Sequence, residues 1–180
     1  MTPARHRVLP GCEPELAAEV AGDLCMVRLL ERRFRVKAPL ERAWSHLEKV
    51  ERWPTWARHI RRIDLKPVGP LRADSAGALV LTSGIQSTFR MEELNTGANW
   101  KWAGPFLWIT VHYDHRFARA GPEETEIAFL LDGEGFGVGV FGRLFAAIYA
   151  RNLDRAIPNL IGEIERAEDV PPKRWGWTGR

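Results

Sequence analysis

The side chains best suited to chemistry lie two residues apart in one extended stretch, "FLWITVHYDHRFA" (residues 106–118). Alternation there puts Leu107, Ile109, Val111, Tyr113, His115 and Phe117 on one face and Trp108, Thr110, His112, Asp114 and Arg116 on the other. The first face is the more apolar and is expected to meet the core, which buries a phenol and an imidazole among hydrophobes. Each then needs a polar partner. Two readings follow. Tyr113 and His115 are either core residues satisfied by the protein itself, or groups that orient a carbonyl or hydroxyl of a ligand. In the second case His115 could also act as a general base, because imidazole titrates near neutrality, with Tyr113 as its acid–base companion.

Other residues can reach the same space. Tyr149 and Asn152 carry polar atoms on a long helical stretch, with Phe145 one turn earlier. Phe89 and Met91 share one strand face, and Trp100 and Trp102 share another. With Trp56, Val111 and Phe129 they form a candidate lining that is aromatic with few polar groups, the usual composition of a small-molecule site. Packing alone would account for the same residues.

Other chemistries are poorly represented. No Ser/His/Asp order, metal-ligand spacing or close carboxylate pair stands out, so neither a metal nor an organic cofactor is expected. The stretch "GEGFGVGVFG" matches G-x-G-x-x-G at Gly137, Gly139 and Gly142. A dinucleotide site would need a further parallel strand and an acidic residue about 20 positions on. Glycines that turn a strand sharply into a helix, and let the helix start close to the sheet, are the expected reading.

The elements that would position these groups follow from periodicity. Residues 30–37 alternate, with Leu30, Arg32, Phe34 and Val36 on one face. After Pro39, Leu40, Ala43, Trp44 and Leu47 recur at helical spacing, and Pro54 reads as an early position of a second short helix. Strands resume in "HIRRIDLKPV", "AGALVLTSG", "IQSTFRMEEL" and "ANWKWA". A long strand from Phe106 to Ala118 is expected beyond a turn at Gly104-Pro105, and "ETEIAFLLD" supplies the seventh. The connections are too short for parallel crossovers, so antiparallel pairing is expected. From Val138 to about Ala167 the period becomes 3.6, with Phe141, Phe145, Ile148, Asn152, Leu153, Ala156, Leu160 and Ile164 on one face and Pro158 expected to bend the helix.

The 180 residues suit one domain with extensions at 1–27 and 169–180, the second carrying Trp175 and Trp177. Hydrophobic content of 45% and charge of 27% are ordinary for a globular protein. No apolar run approaches a membrane span of about 20 residues, and the N-terminus lacks a secretory apolar stretch. Cys12 and Cys25 form no metal or disulfide pattern, and a cytoplasmic location is expected. The net charge is +3, and the densest basic clusters are "RLLERRFRVK" and "RHIRR". Each alternates with apolar residues, as on the solvent face of a strand, and no nucleic-acid partner is expected.

The order of elements and the stretch "VKAPLERAWSHLEKVERWPTW" (residues 36–56) resemble the START/Bet v 1-like (SRPBCC) superfamily, especially its polyketide cyclase/dehydrase-like branch. "GANWKWAG" and the long terminal helix resemble its later part, so the likeness spans about residues 28–167. It implies an α+β helix-grip: a seven-stranded curved antiparallel sheet wrapped around a long C-terminal helix, with two short helices after the first strand and an apolar cavity between sheet and helix. Trp53 would then be a core anchor, and Trp56 would reach the cavity or its mouth. The expected function is binding or transport of a lipid- or polyketide-like molecule by domain 28–168, in a chain that could form a homodimer. The alternatives are a cyclase or dehydratase using Tyr113 and His115, or an interaction module using the Trp-bearing tail.

Overall fold

The computed structural model describes residues 26–166. Cys12, Cys25, Trp175, Trp177 and the two extensions lie outside those residues, apart from Met26 and Val27. Val27 already belongs to the sheet, paired with Gly133. The order is β1 (Val27–Val36), α1 (Leu40–Leu47), a 3-10 helix (Val50–Thr55), β2 (Ile60–Lys66), β3 (Ala76–Leu81), β4 (Gln86–Asn95), β5 (Asn99–Phe106), β6 (Ile109–Gly121), β7 (Glu124–Glu134), a π turn (Val138–Gly142) and α2 (Arg143–Arg166). Strands β2 to β7 form a continuous antiparallel meander, and β1 pairs with β7, giving the order β1-β7-β6-β5-β4-β3-β2. The curved sheet grips α2, as the helix-grip expectation requires.

The corner after β1 is built by the residues of the opening motif. Thr125 Oγ1 donates to the Ala38 carbonyl at 2.8 Å, tying β7 to the "VKAP" turn. The Pro39 carbonyl accepts from the Arg42 and Ala43 amides and starts α1. Ala43, Trp44 and Leu47, spaced three and four apart, are the residues α1 buries. Trp53 Nε1 donates to the Leu47 carbonyl at 2.8 Å and locks the 3-10 helix against α1. Pro54 is the penultimate residue of that helix rather than an early one. The i→i+3 bonds run from Arg52 to Lys49 and from Trp56 to Trp53, so no helical bond needs the amide that Pro54 lacks.

On α2, Ala146, Leu153, Ala156, Leu160 and Ile164 are buried. Each large apolar side chain among them contributes roughly 1.5–3 kcal/mol. The helix runs unbroken through Pro158 to Arg166. Ile148, expected on the buried face, is 57% exposed. Phe141 falls in the π turn, half-buried against Trp108 with ring centroids 4.7 Å apart. The extra residue per turn there offsets the first helical face from the 3.6 period.

Two glycines carry the entry into α2. Gly137 has φ of +73°. A Cβ on Gly142 would sit 3.0 Å from Leu29 Cδ2, so its absence lets the helix start close to β1. Gly139 faces open space, so it serves no such purpose. No parallel strand accompanies this turn, and the dinucleotide pattern is coincidental.

The β5–β6 connection differs from expectation. Gly104 and Pro105 lie within β5, and the turn falls at Leu107-Trp108, with Phe106 paired to Ile109. Gly104 is needed because a Cβ would lie 2.2 Å from the Thr88 carbonyl oxygen on β4. Leu107 adopts φ of +55°. Trp108 Nε1 donates to the Phe136 carbonyl at 2.8 Å, holding this turn against the β7–α2 connection.

Candidate ligand cavity

The sheet and α2 do not meet everywhere. Between them lies a cavity in which the centre of a water molecule can occupy about 140 Å³. A single buried water needs roughly 10–15 Å³ on that measure, so this is far more than a packing defect. β4 contributes Phe89, β5 Trp102, β6 Tyr113 and His115, and β7 Phe129. Phe145, Tyr149 and Asn152 descend from α2 at helical spacing, and Trp56 closes one end.

Three other residues of the expected lining stay out of it. Met91, Trp100 and Val111 are buried on the same sheet face but where other elements cover it. Trp100 is sealed beneath α1, edge-on to Trp44 at 4.9 Å and tilted on Phe117 at 5.2 Å. Val111 packs with Ile109, Leu131 and Ala146 below the start of α2. Met91, paired with Trp102 across the sheet, is absorbed into the main core. Sequence alternation identifies a face, not the part of it that a helix leaves uncovered.

Other residues line the cavity without having been singled out. Trp53, read as a core anchor, fills that role and also forms cavity wall. His59 belongs to the "RHIRR" cluster, whose Arg58, Arg61 and Arg62 are exposed, yet its ring lines the cavity. Leu79, Leu81, Phe106, Ile148 and Leu153 complete much of the apolar wall. Leu79 and Leu81 were findable, since they alternate on one strand.

The polar groups share a feature that decides what they can do. Rings surround the His115 imidazole: Trp100 stacks on it at 5.1 Å, Trp102 and Phe129 meet it edge-on at 5.1 Å, and Trp53 lies at 5.4 Å. Its Nδ1 has no hydrogen-bond partner. Burial pushes its pKa down to about 3, against a small opposing effect of the Trp100 main chain. The ring is therefore neutral at physiological pH. Burial pushes the Tyr113 phenol up, reinforced by Tyr149, and pushes Tyr149 up as well. The two rings meet edge-on at 5.6 Å. Neither phenol has a hydrogen-bond partner among the described residues. The cavity thus offers neutral hydrogen-bonding groups in an aromatic wall. Among the described residues no cluster of His, Cys, Asp or Glu could hold a metal ion, and no helix is long and apolar enough to cross a membrane.

Solved structures share this architecture. The Zhui aromatase/cyclase from a Streptomyces species superposes with a TM-score of 0.62 at 16% identity, over 81% of this chain and 97% of that one. A START superfamily protein from Mycobacterium smegmatis gives 0.58 at 16% identity, over 78% and 99%. A norcoclaurine synthase point mutant from Thalictrum flavum, in complex with a transition-state analogue, gives 0.61 at 10% identity, over 78% and 97%. At such identities the likeness is one of fold. No curated protein matches the sequence. The family described as polyketide cyclase/dehydrase and lipid transport matches residues 28–161, spanning both the opening motif and most of α2. The chain belongs to that family of helix-grip proteins.

Proposed function

We propose that the protein binds one mostly apolar small molecule, lipid- or polyketide-like, in the cavity between sheet and α2. One observation carries this reading: an aromatic-walled cavity between sheet and helix is lined by the Tyr113 and Tyr149 phenols, neither of which has a hydrogen-bond partner among the described residues. A ligand carbonyl or hydroxyl can hydrogen-bond Tyr113 or Tyr149 while its apolar body covers Phe89, Trp102 and Phe129. Asn152 offers both a donor and an acceptor from the helix side.

Acid–base catalysis by Tyr113 and His115 has weaker support. An imidazole held near 3 is a poor base at neutral pH, and in its neutral form it is a hydrogen-bond donor rather than a ready general acid. A phenol pushed upward is a hydrogen-bond donor rather than a base. Binding, with the polar groups setting orientation, is the reading these groups favour.

Native mass spectrometry against a panel of polycyclic and long-chain hydrophobes tests it. One molecule per chain is expected to bind. Leu79→Trp, which fills the cavity from β3, should abolish binding while the unfolding transition stays cooperative. A panel without any saturable one-to-one binder, or undiminished binding in the filled variant, would overturn the reading.

A further inference from the structure

The cavity shares part of its wall with a second pocket. Trp56, His59 and Asn152 line both, and the walls of the second, which faces outward, include Arg58 and Arg155. The two cations come from different elements, Arg58 from the loop before β2 and Arg155 from α2. That loop is held in place on both sides. Asn159 Nδ2 donates to the Trp56 carbonyl at 3.3 Å, and the Thr82 amide donates to the His59 carbonyl at 2.9 Å. The backbone on either side of Arg58 is therefore held beside α2 and β3.

Arg58 and Arg155, like Arg61, Arg90, Arg143 and Arg151, lie outside the ion pairs of the described residues, and they share one pocket. Arginines on β1 are paired: Arg32 with Asp154 at 2.7 Å, and Arg33 with Glu31 and Glu126. Arg58 and Arg155 have no carboxylate partner among the described residues. Between them and the apolar cavity lies the shared wall of Trp56, His59 and Asn152. Trp56 is 2% exposed, and its Nε1 donor is buried without a partner. Two guanidinium groups without a carboxylate partner beside an apolar chamber match a molecule with an apolar body and an anionic end.

We infer that the protein takes amphipathic anions, with the apolar body in the cavity and a carboxylate or phosphate between Arg58 and Arg155. This rests on the cavity reading above and adds the ligand's charge and orientation. Like-charge repulsion between the two guanidinium groups falls when an anion lies between them.

Two fluorescent probes with one skeleton separate the two claims. N-phenyl-naphthylamine is neutral, and anilinonaphthalene sulfonate carries an anion on the same rings. Arg58→Ala/Arg155→Ala should weaken the sulfonate about tenfold and leave the neutral probe within about twofold. The wild-type affinity for the sulfonate should fall with added salt, and that of the double variant should not. Displacement of the sulfonate by dodecanoate marks a free acid as the ligand class, and displacement by dodecyl phosphate a phosphorylated one. Undiminished sulfonate binding in the double variant, equal loss of both probes, or displacement by dodecanol as effective as by the anions would overturn the inference. Failure of the neutral probe to bind wild-type protein would instead remove the cavity reading, and this inference with it.

Discussion

Strand β6 carries two histidines three residues apart, and they live in opposite worlds. His112 points to the convex side, where Glu92 Oε2 lies 2.8 Å from its Nδ1 and Glu134 Oε1 lies 3.5 Å from its Nε2. Lys101 reaches the same Glu92 at 3.5 Å. Next to it Asp114 is served by Arg116 at 2.7 Å and Asn99 at 3.5 Å. On the concave side His115 meets aromatic rings and leaves Nδ1 unpartnered, beside two phenols that also lack partners. Both histidines are almost fully buried. Each also leaves one ring nitrogen without a hydrogen bond, Nε2 in His112 and Nδ1 in His115; what distinguishes them is their surroundings, carboxylates and a lysine for the first and aromatic rings for the second. The convex side has carboxylates and cations of its own and reads as structure. The concave side has an aromatic-walled cavity with a few neutral polar groups, which is the composition of a small-molecule site.

The largest expected effect comes from uncovering the concave side. Removing residues 138–180 exposes every apolar side chain that α2 buries, at roughly 1.5–3 kcal/mol for each large one. That is a major part of a typical stability of about 5–15 kcal/mol. Circular dichroism and urea titration should show no cooperative transition; a cooperative, soluble product would show that the core lies elsewhere.

Next is the sealed part of the same face. Trp100→Ala should cost about 3–5 kcal/mol in urea denaturation, because α1 and the sheet clamp that indole on all sides. A loss below about 1 kcal/mol would mean that the region is as open as the cavity.

On the convex side, Glu92→Gln removes the carboxylate that both His112 and Lys101 use. We expect about 1–2 kcal/mol of destabilisation and unchanged probe affinity in the fluorescence titration. Altered affinity would break the division between the faces.

The smallest effect is expected at His115. His115→Phe replaces an unpartnered imidazole by another flat ring and should change stability at pH 7 by less than about 1.5 kcal/mol. Its pH signature is sharper. Between the ordinary value of 6.5 and about 3, the unfolded chain binds a proton that the folded imidazole refuses. The contribution is thus complete above 6.5 and is lost as pH falls through that window, with a limiting slope of about 1.4 kcal/mol per pH unit. Urea titrations across the window should show a flatter acid limb in His115→Phe than in wild type. Identical limbs would mean that the ring is not held neutral.

Much of this was legible in the residues. Period-two alternation located the strands and the inward face of β6, and the 3.6 period located α2. What escaped depends on contacts between distant segments. Leu107 and Trp108 have no turn chemistry; their turn is held by a bond to Phe136, 28 residues away. Gly104 looks like a breaker but lies in the strand because the β4 backbone passes too close for a side chain. Alternation likewise assigned Trp100, Met91 and Val111 to the correct face, but it has no information about where α1 and the start of α2 cover that face. His59 was hidden among arginines in a loop, where no periodicity applies.

The central claim is that a hydrophobe sits inside the concave cavity rather than on the surface. The surface has a competing site, because Leu107, Trp108, Phe136 and Leu144 are large, apolar and exposed. Isotope-filtered nuclear Overhauser spectroscopy of labelled protein with N-phenyl-naphthylamine tells the two apart. The account predicts contacts from the probe to the rings of Phe89, Trp102, Tyr113 and Tyr149. Contacts confined to Trp108, Phe136 and Leu144 would contradict it.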